Sequence, residues 1–429
     1  MVIASFTTVN PPLHSILLCA LLTCFGVSLT AQTAERTKAV RQAEKLAEDR
    51  QYVEAIRVLE LAMLEGDTSE ALVFDLSAYY KKTGDLRMAT SLCMPLVNKE
   101  RPRPWHLLEV SRMLVDQGRL RDAEPYLQRF EELKPLDRRA AALREYALSR
   151  KRITGRYPHA RLDTFVHNTP ADDGFPVLAD GAVYWSSDRQ SERSKVSGWT
   201  GRAMVGLYRA ELDDETGGYA PAGRVDARFN RGADNTACPA ISPDGQRLYF
   251  ARNARAPNRA GDLNMQLFYA ERKGNGEWGA PERVAGQFEE ANCLHPALSP
   301  DGDFLYFAAD ASESRGGLDV YRVAIRPDGS FGRPENLGPE VNTERHDGFP
   351  AVAEDGALYF ASRGHIGLGG FDVFEVRPAG RGKWTAAENL GEPVNSEGDE
   401  TGWVPYRERR AWLVSDRVGG DDDIYEVRW

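Results

Sequence analysis

One pattern of residues recurs five times between residue 173 and the end of the chain. Its best-formed copy starts at His295 and reads HPALSPDGDFLYFAADASESRGGLDVYRV, and the copy from Phe349 reads FPAVAEDGALYFASRGHIGLGGFDVFEV. Weaker copies start at Phe175, Cys238 and Trp403. A unit repeated at this spacing is the signature of a repetitive fold, so it constrains the chain more than any single motif does.

Each copy contains three strand signals and a weaker fourth. An apolar run that begins with proline leads to a Pro-Asp-Gly or Glu-Asp-Gly step, which suits a tight hairpin turn because glycine accepts a positive φ. An aromatic strand and a strand of the Asp-Val-Tyr type follow. The aromatic pairs are Tyr184-Trp185, Tyr249-Phe250, Tyr306-Phe307 and Tyr359-Phe360. Four antiparallel strands about every 55 residues predict one blade of a β-propeller.

The two ends of the repeat region predict how the ring of blades closes. The last copy stops after its third strand, at Trp429, whereas Arg161–Phe165 matches the tail of a repeat. We expect this early strand to complete the last blade, because closure leaves no free sheet edge. The prediction is a five-bladed propeller over residues 156–429; six blades, the alternative, would need a further repeat.

A second, shorter period precedes the propeller region. Ala55, Ala89 and Ala123 stand 34 residues apart, and small or apolar residues repeat in register around them. A 34-residue period of this kind is typical of tetratricopeptide repeats, in which pairs of helices stack. We therefore predict an α-helical solenoid over residues 36–153, with three repeats and a capping helix, followed by the all-β propeller.

The register of these repeats predicts a groove on the solenoid. The residues expected to line it are Val40, Phe74, Trp105, Leu108 and Arg112. A mostly apolar groove fits a helix or an extended peptide of a partner protein. Alternatively, the propeller or the capping helix fills it.

The N-terminal segment indicates export. Residues 1–31 contain no Asp, Glu, Lys or Arg. An apolar run in this segment ends shortly before Ala31, which is typical of a cleaved signal peptide. Lipidation at Cys24 stays open. Three cysteines remain after cleavage, Cys93, Cys238 and Cys293, and the last two are either free thiols or a bridged pair. The net charge of −10 argues against a nucleic-acid partner.

The repeats SPDGDFLYFAADASESRGGLDVYRV and EDGALYFASRGHIGLGGFDVF resemble the WD-type, TolB-like propeller repeats of bacterial envelope proteins. Tetratricopeptide repeats followed by this propeller resemble a periplasmic component of the type IX secretion apparatus. The resemblance implies a periplasmic protein without a membrane span, either free or associated with the outer membrane, whose partners are other envelope proteins. In that family an OmpA-like domain that binds peptidoglycan usually follows. Because this chain ends with the propeller, direct binding of peptidoglycan is not expected.

Familiar catalytic motifs are absent from the sequence. It contains no Gly-x-Ser-x-Gly elbow, no phosphate-binding Gly-x-x-x-x-Gly-Lys and no His-Glu-x-x-His. His167, His295 and His346 could converge in a metal-dependent sugar-acid lyase, but we interpret them as ordinary loop histidines. The Gly-Gly-x-Asp steps that end at Asp319 and Asp372 are interpreted as turns that the aspartate stabilises, not as calcium sites. We predict no enzyme activity, cofactor or metal.

One face of the propeller is expected to carry an acidic ring flanked by arginines. The predicted docking residues on this face are Asp173, Asp234, Glu290, Asp347, Arg363, Glu400, Trp403 and Arg417. An exposed Trp403 and the long insertion at residues 190–206 would add to the surface. Alternatively, the acids and arginines pair between blades and hold the ring together, although exposed pairs contribute only ~0–1 kcal/mol each.

These observations together predict a scaffold for protein–protein interactions in the cell envelope. Both predicted modules present broad surfaces, and neither shows a reactive group of residues. The alternative is a carbohydrate-binding or sugar-acid lyase propeller that acts through its central pocket.

Overall fold

The computed structural model describes residues 37–49, 51–150, 152–190, 194–213, 218–226, 228–230, 234–254, 263–380, 382–418 and 420–429. The predicted signal peptide and Cys24 lie outside these ranges. The chain divides into two compact units, Met1–Val110 with Gly198–Gly201, and Ser111–Ser197 with Arg202–Trp429. This division lies within the predicted helical domain of residues 36–153.

Seven α-helices occur in the described residues before the first strand. They are α1 Lys38–Glu48, α2 Tyr52–Leu64, α3 Glu70–Lys82, α4 Leu86–Val97, α5 Pro104–Asp116, α6 Leu120–Leu133 and α7 Arg139–Arg150. Side-chain caps begin several of them; the Ser69 hydroxyl, for example, accepts a hydrogen bond from the Leu72 amide. Ala55, Ala89 and Ala123 are all fully buried, as their shared register requires. Their assignment to tetratricopeptide repeats stays a prediction.

The second unit contains a five-bladed β-propeller, which confirms the predicted fold of this region. Blade 1 consists of β2 Asp173–Ala179, β3 Ala182–Ser187, β4 Gly206–Asp213, β5 Gly218–Tyr219 and β6 Gly223–Arg224. Blade 2 consists of β7 Thr236–Ile241, β8 Arg247–Asn253, β9 Met265–Glu271 and β10 Glu282–Arg283. Blade 3 consists of β11 Cys293–Leu298, β12 Phe304–Ala309, β13 Asp319–Ala324 and β14 Glu335–Asn336. Blade 4 consists of β15 Asp347–Val352, β16 Leu358–Ser362, β17 Asp372–Val376 and β20 Glu388–Asn389, with the small hairpin β18 Pro378–Gly380 and β19 Lys383–Trp384. In the turns between first and second strands, Gly245, Gly302 and Gly356 have φ between 70° and 81°, as predicted.

The fifth blade closes the ring with a strand from the other end of the propeller sequence. It consists of β21 Glu400–Arg407, β22 Arg410–Ser415, β23 Asp423–Arg428 and β1 Arg161–Thr164. Strand β1 pairs antiparallel with β23, from Arg161 opposite Arg428 to Thr164 opposite Tyr425. The predicted closure is therefore confirmed.

The aromatic pair on each second strand joins a blade to both of its neighbours. Because successive side chains of a strand point to opposite faces, the two rings of a pair enter different interfaces. Tyr249 packs in a core cluster with Phe307 of the next blade, and Phe250 packs in another with Tyr184 of the preceding blade. Five such clusters hold the five blades together, so the core of the propeller lies between blades.

Each innermost strand is interrupted by a β-bulge. In the first four blades, the residue before the shared proline adopts a left-handed backbone conformation, with φ between 54° and 58°. These residues are Phe175, Cys238, His295 and Phe349. In the fifth blade the register shift lies between Glu400 and Gly402. A bulge adds one residue to its strand and redirects the local side chain.

Two further findings concern the described residues. Cys93, Cys238 and Cys293 are buried free thiols, so the bridged alternative for the last two is wrong in this structure. Within the described ranges, no helix has the length and apolar character needed to cross a bilayer.

Candidate functional site

The propeller contains a central cavity of about 790 Å³, which we call the central funnel. Its lining comes from the innermost strands and from the turns that follow them. The lining residues are Phe175–Val177, Cys238–Ile241, Pro243, His295–Pro300, Phe349–Asp355, Tyr359, Thr401, Gly402, Val404–Arg409 and Trp429. Exposed turn residues such as Pro243, Pro300 and Glu408 form its rim. The funnel therefore opens on the face that carries these hairpin turns.

Three rings from different blades meet at the bulges and form what we call the aromatic plug: Phe175, His295 and Phe349. The His295 and Phe349 rings stack with centroids 3.8 Å apart, and Phe175 stacks on each of them at 5.5 Å. All three residues line the central funnel. The bulges thus convert three strand positions into the floor of a cavity.

His295 is the titratable member of the plug. Only 9% of the residue is exposed, and its Nδ1 accepts a hydrogen bond from the Phe349 amide at 3.3 Å. Burial lowers the pKa of His295 to about 3, because the interior disfavours the charged imidazolium. Burial also raises the pKa of the neighbouring Cys238 thiol. Near neutral pH both groups are therefore uncharged, and the floor of the funnel carries no net charge.

The wall of the funnel is apolar, and its charged residues stand at the rim. Prolines from four blades share the wall; they are Pro176, Pro239, Pro296 and Pro350. The rim carries Glu354, Asp355, Arg407, Glu408 and Arg409, and all five are exposed. A cavity of this composition suits an apolar ligand that is anchored by few polar contacts.

The predicted acidic ring lies at the ends of the innermost strands that are farthest from the funnel opening. The prediction that its members are exposed is wrong for three of them. Asp173, Asp347 and Glu400 are fully buried. Each occupies the first position of an innermost strand and accepts hydrogen bonds from the loop before it. Buried carboxylates persist where such donors satisfy them. These three residues cannot form an exposed docking ring.

The carboxylate of Asp173 is satisfied at both of its oxygens. One oxygen accepts from the Thr169 amide at 2.7 Å and from its hydroxyl at 2.8 Å. The other accepts from Arg189 at 2.6 Å and from the Trp185 indole at 3.3 Å. Glu400 is held in the same way by Ser396, Ser415 and Arg417. These contacts link loops to strands within one blade.

The remaining predicted docking residues on this face differ in burial. Arg417 pairs with Glu400 inside its own blade, whereas Arg363 pairs with Asp399 of the next blade at 2.6 Å. The alternative of pairing between blades thus holds for Arg363. Asp234 is half-buried and Glu290 is exposed, but neither stands in the strand column of the three buried carboxylates, where Thr236 and Cys293 are found instead. A docking role for these residues stays a prediction.

The predicted exposure of Trp403 is wrong. Only 1% of this residue is exposed, because strand β21 turns its indole into the interface between blades 4 and 5. There it lies near Tyr157, Tyr359 and Trp429, with ring centroids 5.3 to 6.3 Å away. Trp403 is a core residue of the propeller.

The other two candidate histidines do not join His295. The His167 ring hydrogen-bonds to the Ala220 carbonyl at 2.9 Å, and the Nδ1 of His346 accepts from the Leu318 amide at 3.1 Å. In the part of the chain that the structure describes, no three His, Cys, Asp or Glu side chains are grouped to hold a metal. The turn interpretation of Asp372 is confirmed, because it accepts from the Leu368 and Gly369 amides at 2.7 and 2.9 Å.

The first unit holds four of the five predicted groove residues. For one of them, Val40, the prediction that it lines a groove is wrong. Val40 is fully buried, because α1 packs this face against α2 and α3. Phe74 is half-buried and lies against Trp105, with ring centroids 4.2 Å apart. Trp105 remains 45% exposed, and Leu108 is half-buried. Arg112, in the second unit, is exposed. Partner binding by these residues stays a prediction.

The charged form of buried Asp188 lowers the stability of the folded state, and a substitution should reveal this pH-dependent effect. Burial and then the charge of Asp172 raise the pKa of Asp188 to about 6, while only 7% of the residue is exposed. The folded state therefore binds this proton more tightly than the unfolded chain does, and stability is lost as the pH rises from about 4 through about 6. Asp188→Asn retains an acceptor for the Asp172 amide, which now donates to Asp188 at 2.9 Å. We expect the difference in free energy of unfolding between the variant and the parent to be more favourable to the variant at pH 7.5 than at pH 4.5, by ~1–3 kcal/mol. Urea unfolding at the two pH values measures it.

Asp310→Asn provides the matched control for this measurement. Asp310 holds the same position in blade 3, where it accepts from the Asn292 amide at 2.6 Å, but its residue is exposed. The control should show no comparable gain at pH 7.5. Equal pH dependence of the two variants would contradict the burial effect at Asp188.

No protein-family model matches this chain, and no curated protein matches it. Among solved structures, it is similar to TolB from Acinetobacter baumannii, with 15% identity over 58% of this chain and 53% of that chain and a TM-score of 0.32. It is also similar to a puromycin hydrolase S511A mutant complexed with PGG, with 15% identity over 59% of this chain and 35% of that chain and a TM-score of 0.35. An α-L-arabinofuranosidase from Lactobacillus brevis shares 10% identity over 65% of this chain and 93% of that chain, with a TM-score of 0.39. The shared feature is the propeller fold.

These comparisons correct the prediction that the chain is not an enzyme. A puromycin hydrolase and an arabinofuranosidase stand beside TolB among the similar structures. Because one fold can host many unrelated functions, the missing Gly-x-Ser-x-Gly motif does not exclude catalysis. The chain covers only about a third to a half of the puromycin hydrolase and TolB chains. Function must therefore be argued from the site.

The sequence interpretation missed the aromatic plug, because it treated His295 as a loop histidine and did not name Phe175 or Phe349 as site residues. Their common signal is the position before the shared proline, which is Phe, Cys, His and Phe in four successive blades. A residue before proline is normally extended, so the pattern alone predicts strand continuation at this point. The bulge overrides that preference and turns the column toward the funnel.

Proposed function

We propose that this chain is a protein-binding module of the bacterial cell envelope whose central funnel holds an apolar segment of a partner protein. Tetratricopeptide repeats in the helical region would provide a second binding surface. The proposed location is the periplasm, either free or associated with the outer membrane, in a secretion or envelope assembly of the type that the repeats resemble. The proposal for the propeller depends on the funnel and can be tested there.

The observation that carries the proposal is the contrast between the two ends of the innermost strands. At the loop end, the buried carboxylates of Asp173 and Glu400 accept hydrogen bonds from arginines of their own blades. At the turn end, an apolar cavity of about 790 Å³ opens between exposed rim residues. Placing one large apolar side chain in such a cavity contributes ~1.5–3 kcal/mol, so a short segment would bind measurably.

The composition of the floor favours an apolar segment over a sugar acid. Binding a uronate would require cationic groups or many hydrogen-bond donors near the ligand. The two arginines in the lining, Arg407 and Arg409, stand on the exposed turn of blade 5, together with the acidic Glu408. The floor consists of neutral rings and the Cys238 thiol.

Site-specific photo-crosslinking in intact envelopes tests this proposal. A benzophenone amino acid in place of Pro300, at the rim, should form a discrete set of crosslinked partners. The same amino acid in place of Asp328, an exposed turn residue outside the funnel lining, is the matched control. Filling the funnel with Ala297→Trp, or with Ala353→Trp from the next blade, should remove the Pro300 products while thermal unfolding shows an intact fold.

The same experiment can contradict the proposal. If the Asp328 position yields the same products, or if folded variants with a filled funnel crosslink like the parent, the funnel does not hold the partner. Using two filling variants from different blades guards against a local packing defect in either one.

A further inference from the structure

The hydrogen bonding of His295 determines which of its ring nitrogens carries the proton. The Phe349 amide donates to Nδ1 at 3.3 Å, so Nδ1 must present a lone pair. A neutral imidazole has one donor and one acceptor nitrogen, and the proton therefore resides on Nε2. Burial keeps the ring neutral by lowering the pKa of His295 to about 3. Between pH 5 and 8 the group is thus a neutral N–H donor.

The Nε2 proton of His295 has no hydrogen-bond partner among the residues that the structure describes, although only 9% of the residue is exposed. The ring stacks on both Phe175 and Phe349 and lines the central funnel. Nε2 itself is not fully enclosed, so a ligand acceptor in the funnel can reach its proton and supply the missing hydrogen bond.

We infer that His295 donates a hydrogen bond from Nε2 to a neutral carbonyl oxygen at the tip of an apolar ligand in the central funnel. This inference rests on the proposed function and defines the chemistry of the segment that enters: apolar groups along the wall, with one carbonyl oxygen at the leading end. The backbone carbonyl of a loop tip meets this description. His295 is then a specificity-determining residue.

A carbonyl fits the floor better than a carboxylate or a hydroxyl does. In the described part of the chain, no cationic side chain stands beside His295, so a carboxylate would lose its hydration without gaining a counter-charge. A hydroxyl brings a proton that needs its own acceptor. The Thr401 hydroxyl oxygen, in the fifth blade, is fully buried and therefore not available to a ligand in the funnel. A carbonyl only accepts.

Two small probes of similar shape separate the carbonyl contact from apolar binding. Acetophenone carries the carbonyl oxygen, and isopropylbenzene replaces it with a methyl group. The dissociation constants of both probes are to be measured by ligand-observed NMR on the full chain and on His295→Phe. Phenylalanine suits the site because Phe175 and Phe349 occupy the same position, at φ of 57° and 55°, in two other blades.

The expected result is a change in the ratio of the two affinities. His295→Phe should weaken acetophenone relative to isopropylbenzene by ~5- to 10-fold, the effect of one buried hydrogen bond. Because the ratio compares both probes in both proteins, the different water solubilities of the probes cancel. Asp328→Ala, at an exposed turn outside the funnel lining, should leave the ratio unchanged.

The failures of the two proposals are distinguishable. If neither probe binds at millimolar concentration, the apolar funnel fails as a ligand site. If both probes bind and His295→Phe leaves their ratio unchanged, the funnel stands and the donor role of His295 is wrong. Independently, nitrogen NMR of labelled histidine should show the neutral Nε2-protonated tautomer from pH 5 to 8. A proton on Nδ1, or an imidazolium, would overturn the inference.

Discussion

A chain that stops after Asp422 is expected to lose the cooperative unfolding transition of the propeller. The truncation removes β23, which pairs with β22 on one side and with β1 on the other. It also removes Ile424, Tyr425 and Val427 from the two core clusters that flank blade 5. Losing three buried side chains and both strand pairings costs more than the ~5–15 kcal/mol that stabilises a typical domain. Urea unfolding followed by tryptophan fluorescence measures the transition.

A synthetic peptide of residues 423–429 supplies the control for this truncation. Added in excess, it should restore the transition by re-forming the pairing between β1 and β23, whereas a scrambled peptide should not. If the truncated chain alone unfolds cooperatively at the same urea concentration as the parent, then closure by β1 does not hold the ring together.

Trp403→Ala should destabilise the propeller by ~3–5 kcal/mol, because large-to-small substitutions in a packed core cost the transfer free energy and leave a cavity. The indole is 1% exposed and contacts Tyr157, Tyr359 and Trp429 within one cluster. The same urea unfolding experiment measures the loss. An exposed docking tryptophan would instead leave stability nearly unchanged.

Leu136→Ala is the matched control for Trp403, because this leucine is 96% exposed in the same compact unit. We expect its free energy of unfolding to stay within ~0.5 kcal/mol of the parent. A loss of similar size in both variants would indicate a nonspecific effect, and a loss below ~0.5 kcal/mol for Trp403→Ala would contradict its burial.

The architecture of the propeller could be predicted because its signals are periodic. Four of the five blades repeat the turn glycine and the aromatic pair, and each of these has one geometric role, as Gly302 and Tyr306-Phe307 show in blade 3. The closure could be predicted because Arg161–Phe165 matches the missing strand of the last copy. Repetition averages out the ambiguity of any single strand signal.

The burial of the acidic ring could not be predicted from the same repeats. An aspartate at the start of a strand is expected in solvent unless donors surround it, and those donors come from loops of irregular sequence. Thr169 and Thr343 satisfy Asp173 and Asp347 from four residues upstream, while Ser396 does the same for Glu400. The shared spacing of four residues is visible in the sequence only once the contacts are known.

The burial of Trp403 and the convergence of the aromatic plug could not be predicted for a related reason. The alternation of side chains along a strand is reliable only while the register is unbroken. In blade 5 the register shifts between Glu400 and Gly402, immediately before Trp403. In the other blades the corresponding shift brings Phe175, His295 and Phe349 into the funnel. A one-residue shift thus exchanges the expected surface and interior positions.

The four bulge residues with a left-handed backbone conformation can differ in side chain while the fold of the propeller stays the same. A residue other than glycine costs roughly 1 kcal/mol or more in this conformation, yet Phe, Cys and His all occupy it with nearly the same φ. The backbone therefore tolerates different side chains at these positions without altering the blade interfaces. Exchanges at four residues could adapt the centre of one propeller to new ligands, while the interblade clusters preserve its stability.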